Sequence, residues 1–489
     1  MLENVVLGIV LVIVVVAIVL LVRTRQFAGP TQPVQPVEGI PVDASRVAEH
    51  LGRAIRCQTI SRGEGQPPDS QAFNEFHQAL KEMFPLVHQH LKLHRINQLS
   101  LLYQWEGTKP GLPGVMFTAH QDVVPVDQGS IAEWQQPPFD GVIADGFVWG
   151  RGALDIKSQV ISVLEAVESL LKSGFRPQRT VFLGFGHDEE IGGLNGAKPM
   201  AAWMKEQGFH LAALIDEGGE IVKDYFPGVT VPAALVGYAE KGYLTLELVV
   251  EARPGHSANP PKQTAIGILA KGLARLEARP LPTNVRAPTP LYKGIGMAAP
   301  FSKRLEYANL WLLGGLVRRS MEAKPETNAA IRTTTAITII HAGVKDNILP
   351  GKVTAKVNFR LMPGDTVSGV IEHVRNSMAD ERIQIHKSNE GGWEAPPPSP
   401  IDCDAFHLLE RTVRQVFGNI PVAPYLVQGA TDSKYYSVIC DAIYRFSPVE
   451  VNPDDRHRVH GINERIQVDA LARMVKFFGQ LIPTWSEMS

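Results

Sequence analysis

Cysteine is nearly absent from this chain of 489 residues: three occur, Cys57, Cys403 and Cys440, an odd number spread far apart. That excludes a disulfide framework and any CxxC-type metal or redox site, so a bound metal must be held by histidine and carboxylate. Net charge is equally scarce. The 48 Lys and Arg against 50 Asp and Glu leave −2 at neutral pH. A nucleic-acid binder relying on bulk charge is thereby excluded, and any ligand is recognised locally. With 44% hydrophobic and 20% charged residues the chain is not a disordered one either. At about 150 residues per domain, it holds roughly three folding units or two large ones.

One long apolar run stands at the N-terminus. Val5 to Val22 carries no charge, close to the roughly 20 residues that cross a bilayer as a helix. A buried core helix would show a polar face. A cleaved signal peptide is the stronger rival, but the run is preceded by Glu3 with no Lys or Arg, and RTRQFAGP after it is a poor cleavage site. The expectation is a single-pass membrane anchor over residues 1–25, with Arg23 and Arg25 favouring a cytoplasmic body. Pro30, Pro33, Pro36 and Pro41 then predict an extended linker, residues 26–44, that holds the body off the membrane.

Beyond Asp43, apolar runs of strand length alternate with helical periodicity, an α/β pattern. GVMFTAH ends at His120 and TVFLGFG at Gly186. Between them Ile156, Val160, Val163, Leu164, Val167, Leu170 and Leu171 repeat at three and four residues, a helix that Gly174 ends and that covers one face of a sheet. LAALIDEGG and AIYRFSP are two further buried strands followed by polar residues. Strict alternation appears instead at Leu244, Leu246, Leu248 and Val250, and again at Val353, Ala355, Val357 and Phe359. It describes a smaller sheet with one wet face, an inserted second domain. PLPTNVRAPTPLYKGIGMAAP reads as loop, and its Gly294, Gly296 and Ala299 follow no strand, so they make no dinucleotide site.

The chemistry gathers at strand ends, where open α/β sheets bind ligands. His120 and Asp122 form an HxD pair, Asp155 stands at a strand-to-helix junction, and Asp188, Glu189 and Glu190 follow a very apolar strand. Asp216 and Glu217 repeat the arrangement, and His460 supplies a second imidazole. Adjacent carboxylates repel unless a cation or solvent compensates. Two histidines and several carboxylates converging on one sheet edge bind first-row divalent cations through N and O donors, most economically as two zinc ions sharing one carboxylate; cobalt or manganese fits the same donors. A metal polarises an amide carbonyl and acidifies a water, while a free carboxylate takes the water proton and passes it to the leaving nitrogen. Glu189 and Glu190 are neighbours, so one can be base and the other ligand. Asp122 can take the free ring N–H of His120 and orient it.

HQDVVPV, GRGALDIK, GHDEE, IDEGG, PGHSANPP, KDNILPG, VNFR and VHGINE, in this order, resemble the di-zinc metallopeptidase family containing carboxypeptidase S, aminoacylase, glutamate carboxypeptidase and the N-acyl amino acid synthase/hydrolases. The resemblance spans residues 45–485. IDEGG, GHSANPPK and AAIRTTTAITII bring it closest to the carboxypeptidase S and N-acyl amino acid hydrolase branch. It implies a zinc-exopeptidase-like α/β catalytic domain of mixed sheet with helices on both faces, residues 45–242 and 363–489, interrupted by an α+β lid and dimerisation domain over 243–362. It implies His120, Asp155, Glu190, Asp216 and His460 as ligands of two zinc ions, with Asp155 bridging, Glu189 as general base and Asp122 as orienting carboxylate. Some family members ligate through the position of Glu217, and neighbours at a strand end point to opposite faces, so only one of Asp216 and Glu217 can face the metals; the closer branch implies Asp216. The lid's His256 would stabilise the oxyanion, often across a homodimer interface. Asn347 and Arg360 would hold the substrate carboxylate, and bidentate recognition suits Arg360. Gly429, Ala430, Thr431 and Asp432 match a family loop near the site.

The expected activity is a membrane-anchored, zinc-dependent amide hydrolase that releases a C-terminal amino acid with a free carboxylate from a small peptide or an N-acyl amino acid. An aminopeptidase or dipeptidase is the alternative enzyme. A catalytically dead binding protein would lack a ligand or the base, and all are present.

Overall fold

The computed structural model describes every residue except 28–31, 64, 65, 227, 453, 454, 456 and 489; Pro30 of the expected linker lies outside the described residues. The strands Gly114–His120, Val181–Gly186 and Leu211–Asp216 are almost wholly apolar and buried along their length. Strands of that kind pair in parallel, with helices covering both faces of the sheet. Gly114–His120 accordingly lies between the other two and parallel to both, and Ile443–Arg445 runs parallel beyond Leu211–Asp216. Ser100–Trp105 and Lys92–Ile96 extend one side antiparallel, while Ala233–Glu240, paired in turn with Val422–Val427, extends the other. The result is a ten-stranded mixed sheet.

Alternation along each strand decides which helix it meets. Val115 and Phe117 join a core with the helices Lys157–Lys172 and Val468–Ser486, whereas Met116, Phe182 and Leu214 turn toward Ala197–Glu206. Trp485, fully buried beside Phe117 and Tyr444, donates its indole N–H to Ala405 O at 3.0 Å. Burying an aromatic of that size contributes about 2–3 kcal/mol, provided its polar end is satisfied as it is here. The helix expected after Ile156 ends at Lys172, and Gly174 beyond it takes φ +78°.

The second domain is a four-stranded antiparallel sheet, ordered Thr334–Ala342, Lys352–Leu361, Gly242–Glu251, Ile383–Trp393. The helices Ala265–Glu277 and Val367–Met378 cover the face formed by Leu244, Leu246, Leu248, Val353, Val357 and Phe359. Its limits differ from 243–362 in two ways. Helix Val367–Met378 and strand Ile383–Trp393 belong to it, because Ile383 joins the same buried face and Ile385 packs against it. Conversely, the stretch read as loop contains the helix Thr289–Ile295, whose Ile295 packs with Ala299, Val222, Leu235 and Ala423 on the large sheet. Gly294 is needed there because a Cβ would stand 2.5 Å from Ala423 Cα.

The N-terminal helix Leu2–Phe27 is long and apolar enough to cross a membrane, a property that signal sequences share, and its apolar window is unburied. Its last turns touch the body. Arg23 Nε donates to Ala308 O at 3.2 Å, Asn309 Nδ2 donates to Thr24 Oγ1 at 3.2 Å, and Phe27 packs against Tyr307, Val317, Met321 and Ile331. The linker is no free spacer. Val34 N donates to Asn419 Oδ1 at 2.7 Å, Asn419 Nδ2 returns a bond to Val34 O at 3.2 Å, and Ile40 and Val42 pack on the main core. The Val34 backbone and the apolar side chains of Ile40 and Val42 tie it to the body.

Candidate active site

Parallel pairing brings the ends of separate strands to one edge. His120 is the last residue of its strand and faces Gly186, after which His187 to Glu190 follow, and Phe117 faces Ile215, two residues before Glu217. The site is the meeting of these ends with Asp155, just before helix Lys157–Lys172, and His460, from a distant turn.

Two imidazoles flank one carboxylate. His120 Nε2 lies 3.0 Å from Asp155 Oδ1, and His460 Nε2 lies 2.9 Å from Asp155 Oδ2. His120 Nε2 is also 3.3 Å from Glu217 Oε1, and His460 Nε2 is 3.2 Å from Glu190 Oε2. Glu189 completes a second tight group with His120 and Glu217. His120 is buried and His460 is open to solvent on one side.

The donor set fits divalent cations. His120 Nδ1 donates to Asp122 O at 2.9 Å, which fixes the tautomer that leaves Nε2 with a lone pair. That lone pair faces two carboxylates, as does Nε2 of His460 between Asp155 and Glu190. Without a cation each ring must carry an extra proton to stay there. Burial opposes charge on His120, but Glu217, together with hydrogen bonds to Asp122, Asp155 and Glu217, outweighs it and raises the imidazole pKa well above its ordinary value. Bonds to Asp155 and Glu190 raise that of His460 to about 10. Burial pushes Glu217 up to about 8 and raises Glu189 well above the usual carboxylate range, with the Glu217 charge adding to the rise in Glu189. Glu190 Oε1 is buried with no hydrogen-bond partner. Nitrogen and oxygen donors, crowded carboxylates and an orphaned oxygen are together what a zinc-type cation neutralises.

Buried side chains hold the cluster from behind. Asp122 accepts the N–H of Glu189 at 3.2 Å and of Glu190 at 3.1 Å, and also a bond from Ser61. The carboxylate thereby positions both the expected base and a ligand, while it is the backbone carbonyl of Asp122 that accepts from His120 Nδ1, with Oδ1 at 3.4 Å. Asp188, beside them in sequence, turns away to accept Asn195 N at 2.7 Å. Glu464 and Arg151 were missed by the sequence reading although both sit inside quoted motifs. Glu464 Oε1 accepts the N–H groups of Gly152, Leu154 and Asp155, and its Oε2 pairs with Arg151 Nη1 at 2.7 Å. Arg151 Nη2 donates to His460 O at 3.2 Å and Gly461 O at 3.0 Å, pinning His460 in a left-handed backbone with φ +60°.

Asp216 departs from its expected place. It is the last residue of its strand and is buried, with Oδ2 accepting Ser433 N at 2.9 Å, so Glu217 and not Asp216 faces His120. Neighbouring side chains on an extended backbone point to opposite sides, and the 429–432 loop with the turn after it occupies the side of Asp216. His256 and Asn347 come together at an exposed two-stranded antiparallel ribbon, Gly255–His256 against Ile348–Leu349, where Ser257 N donates to Asn347 O at 3.1 Å. Arg360 lies on the polar face of strand Lys352–Leu361, its guanidinium 4.9 Å from the ring centre of Tyr243, which stacks on Trp393.

The profile of peptidase family M20/M25/M40 matches residues 116–484. The chain belongs to that family and is a zinc-dependent hydrolase of amide bonds. It is 40% identical over 446 residues to the N-fatty-acyl-amino acid synthase/hydrolase PM20D1 of Xenopus tropicalis, covering 90% of this chain and 86% of that protein. It is 31% identical to carboxypeptidase S of Saccharomyces cerevisiae, covering 90% and 84%. Among solved structures, the M20 family metallo-carboxypeptidase Sso-CP2 of Sulfolobus solfataricus superposes with a TM-score of 0.65 at 16% identity, covering 91% of this chain and all of that one. Human carnosine dipeptidase 1 gives 0.59 at 17% identity, covering 92% and all of it. At those identities the structures speak for the fold alone.

Proposed function

We propose that this chain binds two zinc ions on either side of Asp155 and hydrolyses N-acyl amino acids or peptides at the amide bond to a C-terminal residue bearing a free carboxylate. One observation carries the reading: the two oxygens of Asp155 are engaged by two different imidazoles, His120 and His460. His120 and Glu217 would hold one cation, and His460 and Glu190 the other.

When bound, the cations supply Lewis-acid polarisation of the scissile carbonyl and of the attacking water. The chain's own residues do the rest. Glu189 takes a proton from the water as its oxygen adds to the carbonyl carbon, then gives that proton to the amide nitrogen as the C–N bond breaks. The products are the acid of the acyl group and a free amino acid. Asp122 keeps His120 in the metal-facing tautomer and holds the Glu189 backbone. Arg360 and Asn347 hold the substrate carboxylate, and His256 stabilises the oxyanion within a homodimer formed through the second domain. Recognition of a free substrate carboxylate is supported by Arg360 on the polar face of its strand, and an N-acyl substrate by the relatives named for fatty-acyl amino acids. Leu2–Phe27 is the membrane anchor, with Arg23 and Arg25 favouring a cytoplasmic body.

The test compares N-acyl amino acids with free-amine dipeptides, using the wild type and Glu189→Gln. The expected result is chelator-sensitive cleavage of the acylated substrates, reduced about 10²–10⁴-fold by the substitution. Activity confined to free-amine dipeptides contradicts the proposal.

A further inference from the structure

The helix Leu310–Glu322 carries two stripes. Val317 and Met321 are buried against Tyr307 and Ile331, while Trp311, Leu312 and Leu316, one turn apart, are exposed, with Leu316 at 66%. Of the seven tryptophans, Trp311 alone is exposed. The exposed Arg318 and Arg319 follow the stripe, and Phe301 and Met297 add apolar surface nearby in the chain.

Its position says what covers this face. Asn309, fully buried at the start of the helix, donates through Nδ2 to Thr24 Oγ1 at 3.2 Å and to Leu20 O at 3.3 Å. Leu20 to Thr24 is where the apolar run Val5 to Val22 gives way to Arg23 and Arg25. A helix of that length rises about 27 Å, nearly the hydrocarbon thickness of a bilayer, so its end lies at headgroup depth. Trp311 is two residues from Asn309, within about 8 Å of chain. A tryptophan starting at that level, with two leucines and two arginines following within about 15 Å along the same helix, matches the composition of an interfacial membrane helix. Resting on the reading of Leu2–Phe27 as an anchor, we infer that the Trp311–Leu312–Leu316 face of this helix docks into the bilayer interface and clamps the catalytic body against the membrane, with Arg318 and Arg319 meeting anionic headgroups.

Full-length protein is reconstituted into phosphatidylcholine–phosphatidylglycerol vesicles, with or without bromine on the upper acyl chain, and tryptophan emission is compared with that of Trp311→Phe. The expected result is that the emission lost in Trp311→Phe is the part quenched by bromine, by half or more, and that Leu312→Glu combined with Leu316→Glu relieves the quenching. Equal quenching in wild type and Trp311→Phe overturns the docking face. Carbonate extraction and the mass of the N-terminus read the anchor separately. A chain that resists extraction yet shows no Trp311-dependent quenching keeps the anchor and overturns the docking. A chain cut near Phe27 and extracted overturns the anchor, and the same quenching comparison in that sample upholds or overturns the docking by itself. A dimer that Leu316→Glu dissociates, with Trp311 unquenched, assigns the face to a second copy and overturns the proposal.

Discussion

Glu464 Oε1 accepts the backbone N–H of Asp155 at 3.1 Å, although the two residues are more than 300 positions apart in sequence. The same carboxylate ties down Gly152 and Leu154 and pairs with Arg151, which in turn holds the carbonyl of His460. One buried ion pair therefore sets the spacing between the carboxylate and the second imidazole that engages it.

Glu464→Gln keeps the shape and leaves the buried Arg151 without a counter-charge. Breaking one side of such a pair destabilises by about 3–5 kcal/mol, and loosening the support of metal ligands weakens metal binding about 10–100-fold. Urea unfolding and zinc competition against a chelator should show both losses. Unchanged zinc affinity would mean that Asp155 and His460 are held by other contacts.

Asp216 and Glu217 are separated by a pair of conservative substitutions. Glu217→Gln should lower zinc content and activity, since its carboxylate faces His120. Asp216→Asn still offers an oxygen to Ser433 N and should keep its zinc. Elemental analysis with the reverse outcome would restore Asp216 as the ligand.

Metal binding should release protons. With no cation, His120 is held above its ordinary pKa despite its burial, by Glu217 and its hydrogen bonds, and His460 at about 10 by Asp155 and Glu190. Both rings are thus protonated at pH 7 and must lose that proton to ligate. Zinc added to chelated protein at pH 7 should liberate about two protons or more, and the apparent affinity should rise with pH. Calorimetry in buffers of differing ionisation enthalpy measures the number. Zinc uptake without proton release would contradict the geometry at both rings.

His77, which is not among the metal-facing side chains, gives stability a pH dependence of its own. Its Nε2 donates to Gln121 Oε1 at 2.8 Å and its Nδ1 faces Arg95 Nη1 at 3.3 Å. Burial, with Arg95 adding to it against the bond from Gln121, holds the pKa near 4 rather than 6.5. The folded chain therefore binds fewer protons than the unfolded chain between those values. The stabilisation is fully present above pH 6.5 and lost as pH falls through 4, by up to about 3 kcal/mol at about 1.4 kcal/mol per unit. Denaturation of chelated wild type and His77→Gln at pH 7 and pH 4.5 should show a smaller drop in the variant; equal drops would assign the acid sensitivity elsewhere.

The sequence was most legible where one strand's end is one signal. Gly114–His120, Val181–Gly186 and Leu211–Asp216 are short apolar runs with polar residues after them, and parallel pairing does the rest. Which of two adjacent carboxylates turns inward was not legible, because it depends on the Thr431–Ser433 turn, over 200 residues away, that takes up Asp216. The second domain's far limit was missed even though Ile383 and Ile385 alternate like the strands that were recognised; the helix between them and Met362 hid the continuity. Glu464 carries no local signal as a support, since its partners Gly152 to Asp155 are joined to it only by folding. Pro33, Pro36 and Pro41 predicted an extended linker, but stiffness says nothing of adhesion, and Ile40 and Val42 attach it to the core.

The proposed chemistry requires Asp155 to be shared by two cations. Anomalous scattering at the zinc edge from crystals of the zinc-loaded protein tests it most directly. Two peaks should flank Asp155, one touching His120 and Glu217, the other His460 and Glu190. A single peak, or a pair in which neither touches Asp155, would contradict it.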